Sequence, residues 1–150
     1  MRRLAMALAM TAVIALAAAP AVAAPPQAVS IEMAGTFTGP NSVAGTFTST
    51  GAIAESGTYT ETFRLVGKTI HGVKALTGSD GTLVLAITAV VDFPTPTTAT
   101  FRAGHWRVVS GTGAFARARG GGSPGATGIA DLVAGTIEVG HRGAVFVQGG

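Results

Sequence analysis

The chain has 150 residues, no cysteine and a formal net charge of +3. Without cysteine there is no thiol nucleophile, no thiolate metal site and no disulfide chemistry. A single domain of this length buries roughly two-thirds of its surface on folding, so its core can stand without cross-links.

The first 24 residues read as a secretory leader. Arg2 and Arg3 form a basic start, Leu4 to Ala18 is an unbroken run of apolar or small residues, and Pro20 breaks it. Ala21-Val22-Ala23 then supplies the small-x-small pattern that precedes cleavage. A run of about 15 residues is short for a membrane span of about 20. Without Arg2 and Arg3, eight Lys and Arg stand against seven Asp and Glu, a net +1. Such a balance gives no general attraction to nucleic acid or to an anionic membrane. The expectation is one exported domain over 25–150, with no nucleic-acid partner and no membrane association after cleavage.

All 22 glycines follow the leader, amid many threonines in short alternating runs. That composition suits a turn-rich all-β domain. Residues 25–28 are expected as a flexible stub. Val29, Ile31, Met33, Gly35 and Phe37 then share one face of a strand, a period of two. Gly39-Pro40-Asn41-Ser42 marks a turn, and Ala34-Gly-Thr-Phe-Thr38 recurs as Ala44-Gly-Thr-Phe-Thr48. The pair reads as two strands of one hairpin meeting the same packing demand.

Residues 51–57 are expected as a loop. From Gly57 to Val66, Tyr59, Glu61, Phe63 and Leu65 take one face and threonines with Arg64 the other. Gly67-Lys68 and Ser79-Asp80-Gly81 are turn signals on either side of a strand over 69–77. Thr82 to Val91 is almost continuously apolar, as in a strand that lines a closed core. Asp92 to Thr97, with Pro94 and Pro96, is expected as a loop because proline cannot donate to a ladder.

Over Thr98 to Val109, strict alternation would put Phe101 and Trp106 on opposite faces; a bulge at Gly104 would restore both to one. Gly120-Gly121-Gly122 ends any helical turn over 112–118. Two last strands are expected at 126–139 and 142–147, joined by Gly140-His141-Arg142-Gly143. About eight short antiparallel strands favour a closed barrel, because closure removes the edges.

Two motifs look chemical and fail on physical grounds. Gly111-x-Gly113-x-x-Ala116 with Asp131 mimics a dinucleotide fingerprint, but no crossover helix can follow it. Gly121-Gly122-Ser123-Pro124-Gly125 fits a serine nucleophile elbow, yet Pro124 has no N–H to offer an oxyanion. His71, His105 and His141 lack the spacing of metal ligands and are expected in surface or capping roles. Arg102, Arg107, Arg117 and Arg119 read as a solvated face.

Glu61 is the informative charge. If its aromatic face is the core face, a carboxylate lies inside the barrel, where it must be neutral, paired or wetted. Burial there would favour its neutral form unless an arginine such as Arg102 or Arg107 reaches it.

The run Gly-x-Trp106-x-Val-x-Ser-Gly-Thr-Gly-Ala-Phe-Ala-x-x-x-Gly-Gly-Gly122 resembles the allene oxide cyclase barrel-like family, secreted bacterial relatives of plant allene oxide cyclase and dirigent proteins. Gly45–Thr48 and the hairpin from His71-Gly72-Val73-Lys74 to Asp80-Gly81-Thr82 support it. The resemblance covers most of 30–148 and implies an eight-stranded antiparallel calycin-like barrel with a central apolar cavity. In that family a pocket glutamate assists cofactor-free cyclisation, or charged pocket residues steer a phenolic intermediate. Neither residue set maps onto this chain by motif.

Three functional classes follow. The leading one is a secreted barrel, monomeric or weakly oligomeric, that encloses a small apolar ligand without catalysis and without a cofactor or metal. Tyr59, Glu61, Phe63, Phe101 and Trp106 are its candidate ligand-binding residues, and a homo-oligomer is not indicated. The second class is a cofactor-independent isomerase or cyclase on a lipid-derived or phenolic substrate. The third is a filled barrel that binds a protein partner. An eight-stranded interior either is just packed or holds one small ligand, so the lumen separates these classes.

Overall fold

The computed structural model describes residues 24–148. The leader expected over 1–24 lies, but for Ala24, outside the described residues. Eight strands, β1 (Gln27–Gly39), β2 (Ser42–Gly51), β3 (Glu55–Val66), β4 (Thr69–Gly78), β5 (Thr82–Thr95), β6 (Thr98–Gly111), β7 (Arg119–Asp131) and β8 (Thr136–Phe146), follow one another. Each pairs antiparallel with the next, and β1 pairs with β8 to close the barrel. The only helical segment among the described residues is the 3₁₀ turn Gly113–Phe115. The all-β, eight-stranded closed barrel expected from the sequence is the fold observed.

Alternation decides which side chains fill the lumen. On the inner face of β3 Tyr59 and Glu61 are buried, Phe63 is half-buried and Leu65 is exposed at the rim, while the threonines face solvent. The recurrent pentapeptide lies across one ladder, with Gly35 opposite Gly45 and Met33 opposite Phe47. The bulge expected near Gly104 is present: the register slips on both sides of Gly104, and Ala103 sits at φ 51°. The extra residue lets both Phe101 and Trp106 pack inward.

Five local expectations are corrected, the last at the final hairpin. β1 begins at Gln27, not after residue 28, and β3 begins at Glu55, inside the expected loop. β5 continues to Thr95; its register slips between Asp92 and Thr95, so Pro94 is not asked for a ladder hydrogen bond. The glycine triplet lies inside β7, where it lets that strand approach β6 closely. A Cβ at Gly122, for instance, would sit 2.6 Å from Trp106 Nε1.

The last hairpin turns at residues 132–135 and not at 140–143. Asp131 Oδ1 accepts from the N–H groups of Val133 and Ala134 at 2.9 and 2.8 Å, and Gly135 takes the left-handed φ of +69° that the turn needs. Gly140 to Gly143 therefore run straight through β8.

Candidate functional site

The two ends of the barrel are closed differently. At the lower end the connections fold inward: Ile53 and Phe115 are buried from the β2–β3 and β6–β7 connections. Above them Tyr59, Leu76, Leu83 and Leu85 fill the lumen. At the upper end the turns 40–41, 67–68, 96–97 and 132–135 contribute no buried side chain. There Ala89, Ala99, Ala126 and Ala130, whose methyl groups cannot reach the axis, stand in the wall beside larger residues such as Ile70, Ile87 and Ile137. A cavity of about 210 Å³ results, far more than a single water needs.

Of the five residues expected to bind ligand, Glu61, Phe63 and Phe101 line this cavity. Tyr59 and Trp106 do not. Tyr59 is buried in the packed lower half, and Trp106 lies behind His141, stacked on its ring at 6.0 Å and 16°. The indole N–H donates to the Arg142 carbonyl at 2.9 Å, which fixes that stack.

The polar end of the cavity comes from three strands. Glu61 of β3 faces Lys74 of β4 directly across the ladder, and the Lys74 ammonium donates to Glu61 Oε2. Both are buried, at 4% and 0% exposure. Gly72 makes room for the carboxylate, since a Cβ there would meet Glu61 Oε1 at 2.7 Å. The Lys74 nitrogen also lies 5.4 Å from the Tyr59 ring centroid, a cation–π distance. Glu61 thus faces inward and is paired, and its partner is a lysine. Arg102 instead donates to Asp92 at 2.5 Å on the outer wall, and Arg107 is exposed.

His141 is the third polar group, and it corrects the expectation of a surface histidine. It is 1% exposed and lines the cavity from β8. Its Nδ1 lies 3.0 Å from the Gly140 carbonyl; a carbonyl only accepts, so Nδ1 carries the proton and Nε2 is a lone pair. Burial, aided by the nearby Lys74 charge, pushes its pKa down to about 3, so the ring is neutral. Nε2 has no partner among the described residues, and neither has the buried Tyr59 hydroxyl. Burial, then the Glu61 charge, pushes the Tyr59 phenol up to about 12. Burial also lowers Lys74, against the pull of Glu61. The other two histidines do sit outside: His105 meets Ser123 Oγ at 2.5 Å, and His71 faces Thr88.

Chemically the site is an apolar cavity ending in an ion pair and one unprotonated imidazole nitrogen. No group of three or more His, Cys, Asp or Glu suited to a metal ion occurs among the described residues. Lys74 and His141 escaped the sequence reading, although a signal for the lysine was present. A two-residue turn at 67–68 pairs residue 66 with 69, and stepping down that ladder pairs 61 with 74. Compared with protein-family models, with curated proteins and with solved structures, the chain matches none.

Proposed function

We propose that this protein is a secreted binding barrel that encloses one small, mainly apolar molecule and does not turn it over. The observation that carries the reading is the cavity itself: about 210 Å³, walled by alanine, branched aliphatic and aromatic side chains, with Glu61, Lys74 and His141 among its few polar groups. Concave apolar sites with a few convergent polar groups are the usual form of small-molecule sites. The apolar wall supplies affinity, and the polar end orients the ligand. The leader-like pattern of residues 1–24 supports export.

Native mass spectrometry of the purified protein tests the reading. A co-purifying small molecule, or saturable 1:1 uptake of an added one-ring apolar compound, supports it. Binding that is absent, or that survives when the cavity is plugged by Ala130→Leu, rejects it. Export is checked by the intact mass of the secreted chain, expected to begin after Ala23 or Ala24.

A second reading has its own support. Glu61, Lys74 and His141 are acid–base groups in a water-poor cavity, the kind of setting in which cofactor-free isomerases or cyclases operate. Kinship with allene oxide cyclase-like barrels would fit it. Consumption of a bound ligand, lost in Glu61→Gln, separates this reading from the first.

A further inference from the structure

Among the described residues there are two lysines, and they could hardly differ more. Lys68 sits in an exposed turn. Lys74 ends inside the barrel at the polar end of the cavity, its nitrogen held between the Glu61 carboxylate and the Tyr59 ring. As a packing device an internal ion pair is a poor choice, because apolar residues of similar volume are often as stable or more so.

The pair also restricts what can bind. Glu61 already neutralises Lys74, so an anionic ligand would add an unbalanced charge in an apolar space. A neutral electrophile adds none. We propose that the cavity captures small apolar aldehydes, with Lys74 as the nucleophile, Glu61 as its proton partner and His141 Nε2 as acceptor for the hydroxyl of the intermediate. This rests on the cavity being a ligand site and names the class of ligand.

The chemistry balances without any further reagent. The Lys74 ammonium passes a proton to Glu61, leaving a neutral amine beside a neutral acid; burial of Lys74 favours its amine form. The nitrogen lone pair attacks the carbonyl carbon, and the C=O π electrons move to oxygen. A proton moves from nitrogen to that oxygen, giving a carbinolamine whose O–H can donate to His141 Nε2. The C–O bond then breaks as Glu61 returns its proton, releasing water and forming a C=N bond. The product is a protonated imine paired with the Glu61 carboxylate, so the charge of the site is unchanged. Buried lysines suit this role because their pKa falls readily.

trans-Cinnamaldehyde is the probe, and cinnamyl alcohol is its non-carbonyl counterpart. The purified protein is incubated with each, treated with cyanoborohydride to trap any imine, and mapped by peptide mass spectrometry. The expected result is a reduced adduct on Lys74 forming at least about tenfold faster than on Lys68, saturating with aldehyde and suppressed by the alcohol. Plugging the cavity with Ala130→Leu, which keeps Lys74, should abolish it. Two outcomes overturn the proposal and are distinguishable. If the alcohol binds in the cavity but the aldehyde labels only Lys68 and the α-amine, covalent capture is wrong and the binding barrel stands. If neither compound binds, the cavity reading fails with it.

Discussion

The lower and upper halves of this barrel share one ladder and one alternation, yet the first is packed and the second is hollow. Side-chain size on the strands and burial of loop residues produce the contrast. Below, Leu76, Leu83, Leu85 and Tyr59 meet on the axis, and Ile53 and Phe115 fold in from the connecting loops. Above, four alanines stand among the lining side chains, and no turn residue is buried. An eight-stranded lumen stands at the limit where side chains just fill it, so a few methyl-for-isobutyl exchanges decide between core and cavity. The polar groups lie at the junction of the halves, where a ligand would meet them last.

The contrast predicts where substitutions hurt. Phe115→Ala removes a buried ring from the closed end and should cost about 3–5 kcal/mol. Phe93→Ser, at the open rim where Phe93 is 56% exposed, should stay within about 0.5 kcal/mol. Urea melts of the two variants check this directly, and equal losses would mean that the upper end is as packed as the lower.

At the junction, Lys74→Met leaves the Glu61 carboxylate buried without a partner and should cost roughly 3–5 kcal/mol. Adding Glu61→Leu should restore most of that loss, because the pair as a whole is replaceable by apolar residues. A double-mutant cycle measures the recovery. If the double variant is no better than the single, Glu61 does not depend on Lys74.

His141 gives the junction a pH dependence. Its folded pKa of about 3 lies below the ordinary 6.5, so between these values the unfolded chain holds a proton that the folded chain lacks. Stability from this group is therefore complete above about pH 6.5 and falls as the pH drops toward 3, by up to roughly 1.4 kcal/mol per pH unit. His141→Gln should flatten that part of the profile. An unchanged acid slope would place the imidazole in contact with water.

Sequence reading recovered the strand number, the closure and the bulge at Gly104, because alternation and turn chemistry are local signals. Alternation also set Glu61 on one face with Tyr59 and Phe63, and burial shows that face to be the inner one. Lys74 stayed hidden because a charged residue was read alone, although the tight turn at 67–68 fixes its opposite number. His141 was lost to a misplaced turn: Gly140 and Gly143 look like punctuation, whereas the actual turn depends on Asp131 capping two backbone N–H groups. Cavity or core could not be read at all, since it depends on which alanines meet across strands distant in sequence.

Trp106 offers the most direct test that the upper lumen is a ligand site. It is the only tryptophan in the chain and stacks on His141, which lines the cavity. Titrating the protein with cinnamyl alcohol should therefore change the tryptophan fluorescence saturably at 1:1 stoichiometry, and Ala130→Leu should abolish the change. A flat titration, or the same response in the plugged variant, would contradict the account.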